Sequence, residues 1–144
     1  MNIYADSSAV VKVYIDEAGS ERMRDIVFSE ENHILISKIT GAEVAAAFSR
    51  TKRMNDIAED DYNQIFSDFL SDFEELFVRS EVTDSIVSRA IELTKTRTLR
   101  GYDAVQLATA LTLSTEIDDK MIFISADGGL NDAAKAEALT VEDL

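Results

Sequence analysis

Short apolar runs alternate with longer helix-patterned segments along the whole chain. Nothing else in the sequence constrains the fold as strongly. Ile3-Tyr4-Ala5, Ile34-Leu35-Ile36, Leu76-Phe77-Val78 and Met121-Ile122-Phe123-Ile124 read as strands, with Leu139-Thr140-Val141 as a further edge strand. Helical patterns lie between them at 10–15, 21–29, 43–53, 59–75, 83–96, 103–115 and 130–138. The clearest is 59–75, where Tyr62, Ile65, Phe66, Phe69, Leu70 and Phe73 fall at i, i+3, i+4, i+7, i+8 and i+11 on one helix face. Strands joined by helices need right-handed crossovers, which predicts a parallel sheet covered on both faces. With 144 residues and no linker, low-complexity stretch or repeat, residues 1–144 read as a single domain. A domain of this size needs neither disulfide nor metal to fold. The glycines at 19, 41, 101, 128 and 129 read as turn positions, and no phosphate-cradling glycine motif is present.

Several chemistries are excluded outright. With no cysteine there is no disulfide framework, zinc–thiolate centre, iron–sulfur cluster or cysteine nucleophile. The single histidine, His33, precedes a strand and reads as structural. Fourteen basic against 28 acidic residues give a net charge of −14, which repels nucleic acid unless a local basic patch or divalent cations intervene. No apolar run is long enough for a membrane span. The opening Met-Asn-Ile-Tyr-Ala-Asp lacks the basic segment and apolar core of a signal peptide, so a cytoplasmic location is expected.

In parallel α/β sheets, ligands gather outside the carboxyl ends of the strands. Four carboxylates are expected on that rim. Asp6 directly follows the first strand, Asp127 follows the fourth, Glu43 follows the second after a short turn, and Asp103 opens a long helix. Each has a plain alternative: Asp6 and Asp127 as helix N-caps, Thr40 to Glu43 as a capping box, Asp103 as a dipole-favoured first-turn acid. Together they would repel without a cation. An oxygen-only set suits Mg²⁺ or Mn²⁺. Such an ion lowers the pKa of a bound water and stabilises a pentavalent phosphate.

The segments Ile3-Tyr4-Ala5-Asp6-Ser7-Ser8, Ile39-Thr40-Gly41-Ala42-Glu43-Val44, Leu99-Arg100-Gly101-Tyr102-Asp103-Ala104-Val105-Gln106-Leu107-Ala108 and Phe123-Ile124-Ser125-Ala126-Asp127-Gly128-Gly129-Leu130 together resemble, in order and spacing, the motifs of PIN-domain proteins. More closely, the chain resembles the VapC-type toxins of prokaryotic toxin–antitoxin pairs. The resemblance implies a PIN-like α/β/α sandwich, Mg²⁺- or Mn²⁺-dependent hydrolysis of RNA, a homodimer and a small antitoxin partner. It implies Asp6, Glu43, Asp103 and Asp127 as the catalytic and metal-binding set, with Ser7 and Ser125 as orienting hydroxyls. The chain departs from the family pattern at its C-terminal edge, with Ala138 near a usual glycine and no proline after the last strand.

Arg100, three residues before Asp103, is the best placed of the basic residues to contact a phosphate. Lys12 and Lys38, near strand ends, could serve likewise, whereas Lys95, Arg97, Arg50, Lys52 and Arg53 also fit a helix C-terminal preference for cations. The stripe of Tyr62, Phe66, Phe69 and Phe73 reads as core or dimer surface, and the resemblance to VapC-type toxins implies that the helices of 43–75 help form a groove for an antitoxin helix. A phospho-acceptor receiver lacks its acidic pair here, since Asp6 is followed by two serines. A dehalogenase-type phosphatase lacks its D-x-D, residue 8 being serine. A non-catalytic PIN-like module that binds a divalent ion or a partner stands as the alternative to a ribonuclease.

Overall fold

A computed structural model describes residues 1–144. Five strands form one sheet: β1 (Asn2–Ala5), β2 (His33–Ser37), β3 (Val78–Ser80), β4 (Met121–Ser125) and β5 (Thr140–Asp143). Their spatial order is β3-β2-β1-β4-β5, and every neighbouring pair is parallel. The registers Ala5↔Ile124 and Ser125↔Asp143 on one side, and Ser37↔Ser80 on the other, bring the strands' carboxyl ends to one rim.

Seven helices connect them: α1 (Ser7–Tyr14), α2 (Ser20–Val27), α3 (Ile39–Arg53), α4 (Glu59–Glu75), α5 (Asp84–Thr96), α6 (Gly101–Glu116) and α7 (Gly128–Ala136). Strand residues alternate between faces. Ile3, Ala5, Ile34, Ile36 and Ile124 join one core with Val10, Val13, Met23, Val44, Phe48 and Phe69, from α1 to α4. Tyr4, Leu35 and Phe123 join a second core with Ile86, Leu93, Leu107 and Leu130, from α5 to α7. The expected α/β/α sandwich is therefore present, and its sheet is wholly parallel. No helix is long and apolar enough to cross a membrane.

Three local expectations are corrected. The third strand runs 78–80 and not 76–78, because Leu76 caps α4 and its N–H, like that of Phe77, donates to the Asp72 carbonyl. Gly41 is no turn: it lies inside α3, where a Cβ would come 2.9 Å from the Phe73 ring of α4. Gly101, Gly128 and Gly129 likewise stand in first helical turns, leaving Gly19, at φ +87°, as the one left-handed glycine. Thr40 and Glu43 make no capping box, since α3 begins at Ile39 behind Lys38, without a side-chain cap. The aromatic stripe of α4 is largely core. Phe69 is buried, in edge-on contact with Tyr14 of α1 and Phe48 of α3.

Candidate active site

Asp6 ends β1 and caps α1. Its Oδ1 accepts from the Ala9 N–H at 3.0 Å and the Ser8 hydroxyl at 2.7 Å. Its Oδ2 accepts from the Ser125 hydroxyl at 2.9 Å. Ser125 ends β4 and in turn accepts from the Asp127 N–H at 3.0 Å, while Ser8 accepts from the Ala126 N–H at 2.9 Å. Two serines thus tie adjacent strand ends around one carboxylate. Only 4 % of Asp6 is exposed. Burial raises its pKa to about 6, against the pull of these donors and with a further push from Glu43.

Glu43 lies in the second turn of α3, half-buried, and accepts from Gln106 Nε2 at 2.8 Å. Gln106 belongs to α6, one turn beyond Asp103. The same amide nitrogen reaches the Ser7 hydroxyl and Thr40 Oγ1, both at 3.0 Å, and its Oε1 accepts from the buried Tyr4 hydroxyl at 2.6 Å. Ser7 therefore faces Gln106, and the hydroxyls on Asp6 are those of Ser8 and Ser125.

Asp103, in the first turn of α6, is half-buried. Burial raises its pKa, Asp127 and Glu43 push the same way, and Arg100 opposes them. Asp127 is exposed and caps α7, its Oδ1 accepting from the Leu130 N–H at 3.0 Å. Charge coupling thus runs from Asp6 to Glu43, on to Asp103 and then to Asp127. No three acidic side chains of the chain converge at metal-ligating distance.

An open groove of about 810 Å³ runs between α1 and α3, lined by Ser7, Ser8 and Glu43 on the site side and by Val11, Ile39 and Ala46 beyond. A recess of about 350 Å³ holds Asp103 and Asp127. Arg100 lines both, its guanidinium donating to the Tyr102 hydroxyl at 2.6 Å. That hydrogen bond, then Tyr102, Asp103 and Asp127 by charge, raises the pKa of Arg100 further. The other basic candidates are mostly engaged. Lys12 binds Glu17 and the Ala18 carbonyl, Lys38 pairs with Glu81, Lys95 with Glu92, and Arg97 with Glu137. Arg50, which makes no ion pair, lines the groove as Arg100 does. Of the 43–75 helices expected to help form a groove, α3 lines the open one with Glu43, Ala46 and Arg50, while aromatic packing fills its other flank against α4.

The donor set is all oxygen, and two of its carboxyls are held up by burial and mutual repulsion. A hard divalent cation fits that chemistry. Ser8, Gln106 and Tyr4 escaped the sequence reading. The signals available were a glutamine within the apolar stretch of α6 and a second serine after Asp6.

The PIN-domain profile matches residues 3–136. Two Mycobacterium tuberculosis proteins, Ribonuclease VapC45 and Ribonuclease VapC49, are each 31% identical over 114 residues, covering 77% of this chain and 76% of theirs. PAE2754 from Pyrobaculum aerophilum superposes with a TM-score of 0.70 at 16% identity, over 98% of this chain and 83% of its own. M. tuberculosis VapC20, a sarcin–ricin loop cleaving toxin, gives 0.65 at 16% identity, over 91% and 94%. A toxin–antitoxin complex from Klebsiella pneumoniae gives 0.58 at 17% identity, over 87% and 86%. At these identities the solved structures speak for the fold.

Proposed function

The chain belongs to the PIN-domain family, and we propose that it is a divalent-metal-dependent endoribonuclease, the toxin of a toxin–antitoxin pair. One observation carries the reading. Asp6, Glu43, Asp103 and Asp127 gather where the strands end, their charges reaching one another, with Arg100 the one cation whose charge reaches Asp103. Such a rim is suited to an ion and a phosphodiester together. These four carboxylates would hold Mg²⁺ or Mn²⁺, which lowers the pKa of a water and offsets charge on phosphate. Asp6 is held by Ser8 and Ser125, and Glu43 by Gln106, so both carboxylates are oriented before anything binds. Arg100, shared by the groove and the recess, would take a phosphate oxygen of the substrate. No histidine or lysine is placed to deprotonate a ribose 2′-hydroxyl, which favours water as the attacking group. Partnership with a small antitoxin, homodimer formation and work in the cytoplasm belong to the same reading. The apolar groove between α1 and α3 suits an antitoxin segment.

The purified chain should cleave RNA with Mg²⁺ or Mn²⁺ and stop when a chelator is added. Cleavage that continues unchanged in excess chelator would overturn the reading. A second reading, a PIN-like module that binds a partner without catalysis, draws on the absence of any three acids at ligating distance. No cleavage of any RNA in that experiment, with or without divalent ion, would favour it.

A further inference from the structure

Gln106 is 1% exposed and Tyr4 is wholly buried, yet both spend their polar atoms on the floor of the site. The Tyr4 hydroxyl donates to Gln106 Oε1 at 2.6 Å, which fixes the amide so that Nε2 faces the rim. There two N–H bonds serve three oxygens: Glu43 Oε1 at 2.8 Å, and the Ser7 and Thr40 hydroxyls at 3.0 Å. Tyr4 is held in turn by its stacked contact with Phe123, with ring centroids 5.7 Å apart. An amide presents a donor at one end and an acceptor at the other, so a flip would set an oxygen against the Glu43 carboxylate. The Tyr4 hydroxyl at Oε1 and the Glu43 carboxylate at Nε2 oppose that flip from the two ends of the amide, and loss of the hydroxyl leaves Glu43 to oppose it without the buried partner at Oε1.

We propose that Tyr4 and Gln106 are positioning residues: the tyrosine sets the polarity of the glutamine amide, and the amide holds the Glu43 carboxylate in the orientation that completes the divalent-cation site. The inference rests on the nuclease reading above. A purely structural role predicts a loss of stability alone when these bonds are removed. A positioning role predicts weaker cation binding in protein that is still folded, and dependence on Glu43.

The test is Mn²⁺ titration by calorimetry on wild type, Tyr4→Phe, Gln106→Met, Glu43→Gln and the Gln106→Met/Glu43→Gln pair, with circular dichroism as the fold check and RNA cleavage alongside. Groups that orient metal ligands typically contribute about 10- to 100-fold in affinity. Gln106→Met should weaken Mn²⁺ binding at least about tenfold. Its effect in the Glu43→Gln background should nearly vanish, because both changes remove one interaction. Tyr4→Phe keeps the stacked ring and should weaken binding several-fold, which decides the matter should Gln106→Met fail to fold. Wild-type affinity in folded Tyr4→Phe, or a full tenfold loss that persists without Glu43, overturns the proposal while leaving the nuclease reading in place. A wild-type chain that binds no Mn²⁺ overturns both.

Discussion

Asp6 carries a cost that the fold does not need. Its carboxyl titrates at about 6 against an ordinary 3.8, burial being the main cause. The folded chain therefore holds that proton more tightly than the unfolded chain. In metal-free protein the resulting stability is complete below about pH 4, falls as pH rises to about 6, and is absent above. Roughly 2 pKa units correspond to about 3 kcal/mol. Asp6→Asn removes the titration and still offers an oxygen to cap α1. Metal-free Asp6→Asn should thus be more stable than wild type at pH 7, by up to about 3 kcal/mol, and the gap should close towards pH 4. Mg²⁺ should reverse the ranking, since it stabilises only a folded site that can bind it. Urea unfolding at both pH values, with Mg²⁺ and with chelator, checks this. A variant less stable than wild type at pH 7 without metal would show Asp6 to be only a cap. Asp6 and Asp127 were legible in the sequence because each lies within two residues of the end of an apolar strand. Tyr4, Thr40 and Gln106 were not: their bonds join residues 66 and 102 positions apart, and no local pattern encodes such pairings.

The departures from pattern, at the scale of elements, are informative about how helices end and begin. Helix α7 closes in a Schellman motif, in which the Leu139 N–H donates to the Ala134 carbonyl and the Ala138 N–H to the Lys135 carbonyl. The residue at the turn is Ala138, at φ +65°. Helix α3 closes the same way at Asn55, φ +56°, a residue type that tolerates the left-handed region. An alanine there costs about 1–2 kcal/mol, part of which its stiffer unfolded chain offsets. Ala138→Gly should therefore stabilise the protein by roughly 0.5–1 kcal/mol, raising Tm by about 2 °C. Calorimetry settles it, and a Tm that falls would mean the exposed alanine methyl makes a contact worth more than its strain. The missing glycine thus leaves a strained turn and a complete strand: β5 pairs with β4 from Thr140 to Asp143. The strands and helices were readable from periodicity, whereas the two-residue slip of β3 was not. Phe77 is buried whether it belongs to the strand or to the turn before it, so hydrophobicity alone cannot place the boundary. The capping box failed for a different reason. Thr-x-x-Glu fits both a helix start and a pair held by a glutamine from another helix, and tertiary contacts decide between them.

The whole molecule carries a charge of −14, yet the proposed substrate is a polyanion. Such a surface cannot gather RNA by the broad basic field that most nucleic-acid-binding proteins use. The cations without an acidic partner on the groove are Arg50, of α3, and Arg100, at the start of α6. Each phosphate neutralised on a single strand adds about −0.7 to the slope of log affinity against log salt. Two arginines therefore set a limit of about −1.4, and long-range repulsion, less screened at low salt, works in the opposite direction. Without divalent cation, RNA should bind weakly, with a slope between 0 and about −1.5. Replacing both arginines by alanine should bring the slope to zero or reverse its sign. Because the chelator that removes divalent cation should also stop cleavage, wild-type protein can be used throughout, with binding followed by fluorescence anisotropy at several KCl concentrations. A slope of about −4 or steeper would demand some six phosphate contacts, a basic surface this fold does not possess, and would refute the groove as the path of the substrate. A shallow slope that loss of the arginine pair abolishes would place the phosphodiester in the groove, between Arg50 of α3 and Arg100 at the start of α6.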